Sequence, residues 1–184
     1  MRKLLDGLYT VTLALSAACL VVILVLVGAQ ICGQIFDALL KLFGYPPYGF
    51  LIPSLPELGG YLFGAASFLA LGATLKRGAH IRVTMLLGVL QPGWRRAFEY
   101  WALVAGFIVA AYATWSLGTL AYSSWKFGDV SSGLLPIKYW IPQSAMTLGL
   151  ATLCVALLDE LLITRRQGTP SFVNAESAIT QGQE

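Results

Sequence analysis

Four long stretches without a charged residue divide this 184-residue chain. They contain 30, 18, 26 and 20 residues, and they lie between Asp6 and Asp37, Glu57 and Lys76, Glu99 and Lys126, and Lys138 and Asp159. A helix needs about 20 residues to cross a hydrocarbon core of about 30 Å. These stretches predict an all-α integral membrane protein with four transmembrane helices, at about residues 8–29, 58–75, 98–122 and 141–163.

Composition supports a membrane protein over a soluble domain. Only 11% of the residues are charged and 57% are hydrophobic, whereas about 25% of a soluble domain is charged. The first apolar stretch is much longer than the roughly 7–15 residues of a signal-peptide core, so we expect it to be retained as a helix. The segment between Lys41 and Glu57 contains four prolines and is predicted to be a loop.

Lysine and arginine are distributed unequally between the two sides that this topology defines. Nine lie at the N-terminus, between spans two and three, or after span four, and three lie in the other two loops. Positively charged residues in short loops stay on the cytoplasmic side. Both termini are therefore expected in the cytoplasm. The basic charge reflects this asymmetry across the membrane and is no sign of nucleic-acid binding, so membrane lipid is an expected partner and nucleic acid is not.

A short amphipathic segment follows span two. His80, Thr84, Gly88 and Gln91 fall on one narrow face, and aliphatic residues fill the wide one. Residues 80–90 are too short to span, so they predict a helix in the cytoplasmic interface that ends at Pro92-Gly93. Arg82 falls within the apolar arc and needs either a partner or a lipid headgroup. Residues 1–166 are predicted to form one membrane domain, and the polar residues 167–184 a disordered cytoplasmic tail.

Local patterns predict how the spans begin and pack. A four-residue spacing relates Gly60, Gly64, Phe68 and Gly72 in span two, and Gly106, Ala110, Thr114 and Gly118 in span three, and all of these except Phe68 are small. Such patterns allow close approach of helices in lipid. Ser54-Leu55-Pro56-Glu57 fits a capping box at the start of span two.

Residues that carry chemistry are scarce in this chain. There is one histidine, no CxxC pair and no charged residue in the middle of any span. We therefore expect no catalytic residue, no cofactor and no metal site, and no ion pathway within this chain alone. Asp159 and Glu160 near the end of span four are expected to pair with Arg165, Arg166 or the arginines of the amphipathic segment.

One region resembles a known family. From Glu57 the chain runs to a glycine near the end of span two, Gly72, and then to Arg77-Gly78-Ala79-His80-Ile81-Arg82-Val83. This pattern, with Pro136, Trp140, Pro142 and Gly149 at the approach to span four, resembles the DctQ-type small membrane subunit of tripartite ATP-independent periplasmic (TRAP) transporters. The resemblance covers roughly residues 8–165.

The resemblance implies a role and a set of partners. It implies a scaffold subunit in the bacterial inner membrane that braces a large, elevator-type permease subunit and works with a periplasmic substrate-binding protein. Uptake would be driven by a sodium or similar ion gradient, and the substrates would be dicarboxylates, keto acids or sialic acids. The residues that it implies for structure or partner contact are Glu57, Gly72, Arg77, His80, Arg82, Trp140 and Pro142.

Two other interpretations remain open from the sequence. One is the small subunit of a tricarboxylate-type tripartite carrier, which has a similar architecture. The other is a four-helix membrane enzyme of the glutathione-transferase-like type, which needs polar and basic residues gathered on one face of the bundle.

Overall fold

A computed structural model of the protein describes residues 2–77 and 92–167. These residues form four α-helices: α1 (Arg2–Leu42), α2 (Leu55–Lys76), α3 (Pro92–Phe127) and α4 (Trp140–Gln167). Each contains a segment long and apolar enough to cross a membrane: Leu5–Leu42, Leu55–Lys76, Ala97–Phe127 and Trp140–Arg165. The predicted all-α fold with four transmembrane helices is confirmed. The predicted interfacial helix at residues 80–90 and residues 168–184 of the predicted tail lie outside the described residues.

The helices pack in the order α1, α2, α4, α3. The central pair is α2 and α4, α1 packs on the outer side of α2, and α3 packs on the outer side of α4. Helices α2 and α4 run parallel to each other, and α1 and α3 run in the opposite direction. The N-terminal ends of α1 and α3 therefore lie at the same end of the bundle as the C-terminal ends of α2 and α4. We call this the inner end, and the opposite end, which carries the loops after α1 and α3, the outer end.

The central pair α2 and α4 packs unusually closely at two glycines. A Cβ atom built on Gly149 would overlap the backbone of Phe68, and one built on Gly72 would lie 3.2 Å from the carbonyl carbon and oxygen of Thr152. The close approach of the two backbones at these glycines gains dispersion energy where lipid supplies no hydrophobic driving force between helices. Ser16 of α1 adds a hydrogen bond of 2.7 Å from its hydroxyl to the carbonyl oxygen of Ala66.

Helix α1 extends well beyond the neighbouring end of α2. Ser16 lies level with Ala66, and because the two helices are antiparallel, the first residue of α2, Leu55, lies level with Val27. At 1.5 Å per residue, the remaining 15 residues of α1 add about 22 Å. The following loop folds back on this extension, where the Asp37 carboxylate accepts the backbone N–H groups of Tyr48 and Gly49 at 2.8 and 3.0 Å.

Candidate structural and partner-binding sites

A cluster of charged residues joins α2 and α4 at the inner end of the bundle. The Lys76 ammonium group forms ion pairs with the carboxylates of both Asp159 and Glu160, the latter at 2.9 Å. The Glu160 side chain has no exposed surface, whereas Lys76 and Asp159 remain about one fifth exposed. Since a buried carboxylate without a cation is costly, Lys76 permits Glu160 to lie inside the bundle.

Tyr9 brings α1 to the same cluster. It is buried against Ala73 of α2 and Ala156 of α4. Its hydroxyl has no hydrogen-bond partner within residues 2–77 and 92–167, and it lies within electrostatic range of the charged groups of Lys76, Asp159 and Glu160. Three of the four helices therefore meet at the charged cluster.

Sequence reasoning missed the role of Lys76 in this cluster. It expected arginines to pair with Asp159 and Glu160, but the structure places Lys76 between these two carboxylates. The sequence did contain a signal for this pairing. Lys76 and Asp159 each end a charge-free stretch, and both lie on the same predicted side of the membrane. Glu99 of α3 is also buried near this end, with 5% of its surface exposed.

A second polar contact lies at the outer end, beneath the loop that joins α3 to α4. The Tyr61 hydroxyl donates a hydrogen bond of 2.8 Å to the Glu57 carboxylate. The Tyr61 ring packs edge-to-face on Tyr139, with centroids 6.1 Å apart. A Cβ atom on Gly133 would overlap the Glu57 carboxylate, so the loop backbone lies directly against this side chain.

Ser54 also contacts this loop and does not cap α2 as predicted. Its side chain makes no capping hydrogen bond, and its backbone has a left-handed φ of 55°. Instead, its hydroxyl oxygen accepts the backbone N–H of Leu135 at 3.1 Å. The predicted capping box is therefore wrong, because the hydroxyl and the Glu57 carboxylate both turn to groups outside the first turn of α2.

The structure distributes the sequence-predicted residues over several places. Glu57, Trp140 and Pro142 lie at the outer end, where Pro142 is buried in the first turn of α4. Gly72 lies at the close contact of α2 with α4, and Arg77 is exposed directly after α2. His80 and Arg82 lie outside the described residues. The described residues among them do not form one site; they lie at both ends of the α2–α4 pair and at its close contact.

The described residues give little support for catalytic or metal chemistry. Within residues 2–77 and 92–167, no group of three or more His, Cys, Asp or Glu side chains could hold a metal ion. The cysteines Cys19, Cys32 and Cys154 are free thiols. An apolar groove of about 590 Å³ lies between α3 and α4. The arrangement is that of helices held together by polar contacts at both ends and by close packing at Gly72 and Gly149, with apolar surfaces facing outward.

Comparison with known proteins identifies the family. No curated protein matches the chain in sequence. Residues 47–167 match the family described as tripartite ATP-independent periplasmic transporters, DctQ component. This match favours the TRAP interpretation over the tricarboxylate-type carrier and over the membrane enzyme, since the matched family is the DctQ component of TRAP transporters. The matched region extends from the loop before α2 to the end of α4 and covers well over half of the 184 residues, so the chain belongs to the DctQ component family and is the small subunit of a TRAP transporter.

Proposed function

We propose that this small subunit is a rigid scaffold that braces the large, elevator-type permease subunit during ion-gradient-driven uptake of organic acids. The observation that carries the proposal is the placement of charge. The stretches between Asp6 and Asp37, Glu57 and Lys76, and Glu99 and Lys126 contain no charged residue. A path for ions or carboxylate substrates across the membrane needs polar or charged groups at mid-depth, so the path is expected in the partner.

Rigidity is supported by contacts at three levels of the bundle. The Lys76 ion pairs connect α2 and α4 at the inner end, and the Gly149 and Gly72 backbone contacts connect them within the membrane. At the outer end, Glu57 and Ser54 contact the loop between α3 and α4. A subunit held in this way resists shear, which is the property needed to brace an element that moves.

The surfaces outside the membrane suit two different partners. We propose that the inner end lies in the cytoplasm, as the distribution of nine basic residues against three indicates. The outer loops then face the periplasm, where a substrate-binding protein delivers dicarboxylates, keto acids or sialic acids. A reporter fused after Arg166 should be active only in the cytoplasm, and one at Tyr45–Tyr48 only outside. The opposite pattern would contradict the orientation.

We propose that Arg77, His80 and Arg82 form the cytoplasmic contact with the large subunit. A guanidinium group in an apolar arc requires a planar partner or a lipid headgroup. Arg82→Lys retains the charge but loses the fork of N–H donors. Co-purification of the large subunit should therefore fall for Arg82→Lys and Arg82→Ala at equal membrane insertion, and full assembly of both variants would remove Arg82 from the contact.

Reconstitution tests the scaffold function directly. Vesicles with this chain alone should show no ion-driven uptake of organic acids, and addition of the large subunit and the binding protein should restore it. Uptake by this chain alone would refute the scaffold function.

A further inference from the structure

Helix α3 exposes two aromatic side chains with polar tips deep within the membrane. Tyr112 is 74% exposed and Trp115 is 72% exposed. Neither side chain makes a hydrogen bond to any group in the part of the chain that the structure describes.

Their depth follows from the packing of the bundle. Gly64, near the centre of α2, contacts Met146 of α4, and the next residue of α4, Thr147, contacts Gly118 of α3. Gly118 therefore lies near mid-depth. At 1.5 Å per residue, Trp115 lies about 4.5 Å and Tyr112 about 9 Å from that level. Both distances are smaller than the roughly 15 Å from the bilayer centre to the edge of its hydrocarbon core.

Lipid is a poor neighbour for these two side chains. Tyrosine and tryptophan at membrane surfaces concentrate in the interface, where the hydroxyl and the indole N–H meet water or headgroups. Acyl chains offer no acceptor, so a polar group that faces them loses its hydrogen bond with water and gains none in return.

The opposite edge of the helix row is different. Ser16 of α1 lies near mid-depth, and the exposed large side chains of α1 within about 8 Å of it along the helix axis are aliphatic: Val11, Leu15, Leu20 and Val21. These side chains suit lipid. The two edges of the row therefore present different side chains, although both edges are largely apolar.

An apolar groove lies beside the aromatic pair. It has a volume of about 590 Å³ and runs between α3 and α4. Small residues such as Ala111, Gly118 and Ala151 line it, and Trp115 forms part of its edge. Small residues admit the side chains of another helix at close range.

We infer that this face of α3, with the adjoining groove, binds a transmembrane helix of the large permease subunit. The inference rests on the proposed function and specifies which surface of the scaffold meets its partner. The occupant carries neutral hydrogen-bond acceptors at mid-depth, because the Trp115 indole N–H only donates and α3 has no charged residue between Glu99 and Lys126.

The experiment is site-specific photo-crosslinking in membranes that contain both subunits. A photoreactive phenylalanine analogue replaces Tyr112 or Trp115, and matched controls carry it at Leu15 or Leu20 of α1. Crosslinks to the large subunit are expected from positions 112 and 115 and not from the controls. Separately, Tyr112→Phe removes the hydroxyl with little change in shape, and it should reduce the co-purified large subunit about threefold, the effect of one interhelical hydrogen bond in a membrane. Trp115→Phe removes the indole N–H together with one ring, so it should reduce co-purification at least as much.

The outcomes separate this inference from the proposed function. If the unaltered subunit does not co-purify the large subunit, the proposed function fails and the inference fails with it. If it does co-purify, crosslinks from the α1 controls instead of α3 overturn the inference alone. Crosslinks from 112 and 115 only to lipid, or only to a second copy of this chain, overturn it equally.

Discussion

Gly149 should be the least replaceable glycine of the central helix pair. Replacement by alanine places a methyl group where the backbone of Phe68 already lies. Backbone cannot rotate away as a side chain can, so α2 and α4 must separate along their contact. Overpacking of this kind costs about 1–3 kcal/mol, and separation also weakens the neighbouring contact of Gly72 with Thr152.

The chain contains its own graded controls for this prediction. A Cβ atom would lie 3.2 Å from the Thr152 backbone at Gly72, 3.6 Å from the Thr147 side chain at Gly118, and in open space at Gly60. Alanine at Gly60 should stabilise α2 by about 0.5–1 kcal/mol through helix propensity alone. The expected order of stability is therefore Gly60→Ala, Gly118→Ala, Gly72→Ala and, lowest, Gly149→Ala.

The assay is thermal unfolding of the purified subunit in detergent, followed by tryptophan fluorescence and by the fraction that remains monodisperse after heating. Gly149→Ala should unfold at a lower temperature than the unaltered protein, and Gly60→Ala should not. Equal stability of Gly149→Ala and Gly60→Ala would refute the close backbone contact and with it the explanation of the rigid central pair.

Three further predictions concern the ends of the bundle. Lys76→Met should destabilise the subunit by up to about 3–5 kcal/mol in the same unfolding assay, because the buried Glu160 carboxylate loses the ammonium group of Lys76. Lys41→Met, at an exposed position, should have little effect. Tyr61→Phe should lower the free energy of unfolding by about 1 kcal/mol, since it removes the hydroxyl that donates a hydrogen bond to the Glu57 carboxylate. An unchanged unfolding temperature would contradict this contact. Asp37→Ala should leave global stability nearly unchanged but increase chymotrypsin cleavage at Tyr48, because the backbone of the loop loses its two hydrogen bonds to the Asp37 carboxylate. Equal cleavage rates in the variant and the unaltered protein would contradict a role of Asp37 in holding the loop.

The four transmembrane helices could be predicted from the sequence because lipid imposes a simple requirement. A span must be apolar for about 20 residues and must satisfy its backbone internally, and both conditions are visible in one dimension. The family could also be recognised in this way, since the pattern from Glu57 through Gly72 to His80 and Arg82 is contiguous. The lengths of the helices were harder to predict from the sequence. Helix α1 is 41 residues long and its last turns are amphipathic, so hydropathy alone did not show where it ends.

Tertiary structure decided which residues meet. Lys76 and Glu160 are 84 positions apart, and their pairing depends on α2 and α4 running parallel at a specific register. Ser54 has the sequence context of a helix cap but binds Leu135, because a loop from elsewhere in the chain supplies a donor. The exposure of Tyr112 and Trp115 likewise follows from the position of α3 at the edge of the row. Composition and spacing determine that a segment enters the membrane, whereas long-range packing determines which of its faces meets lipid, helix or partner.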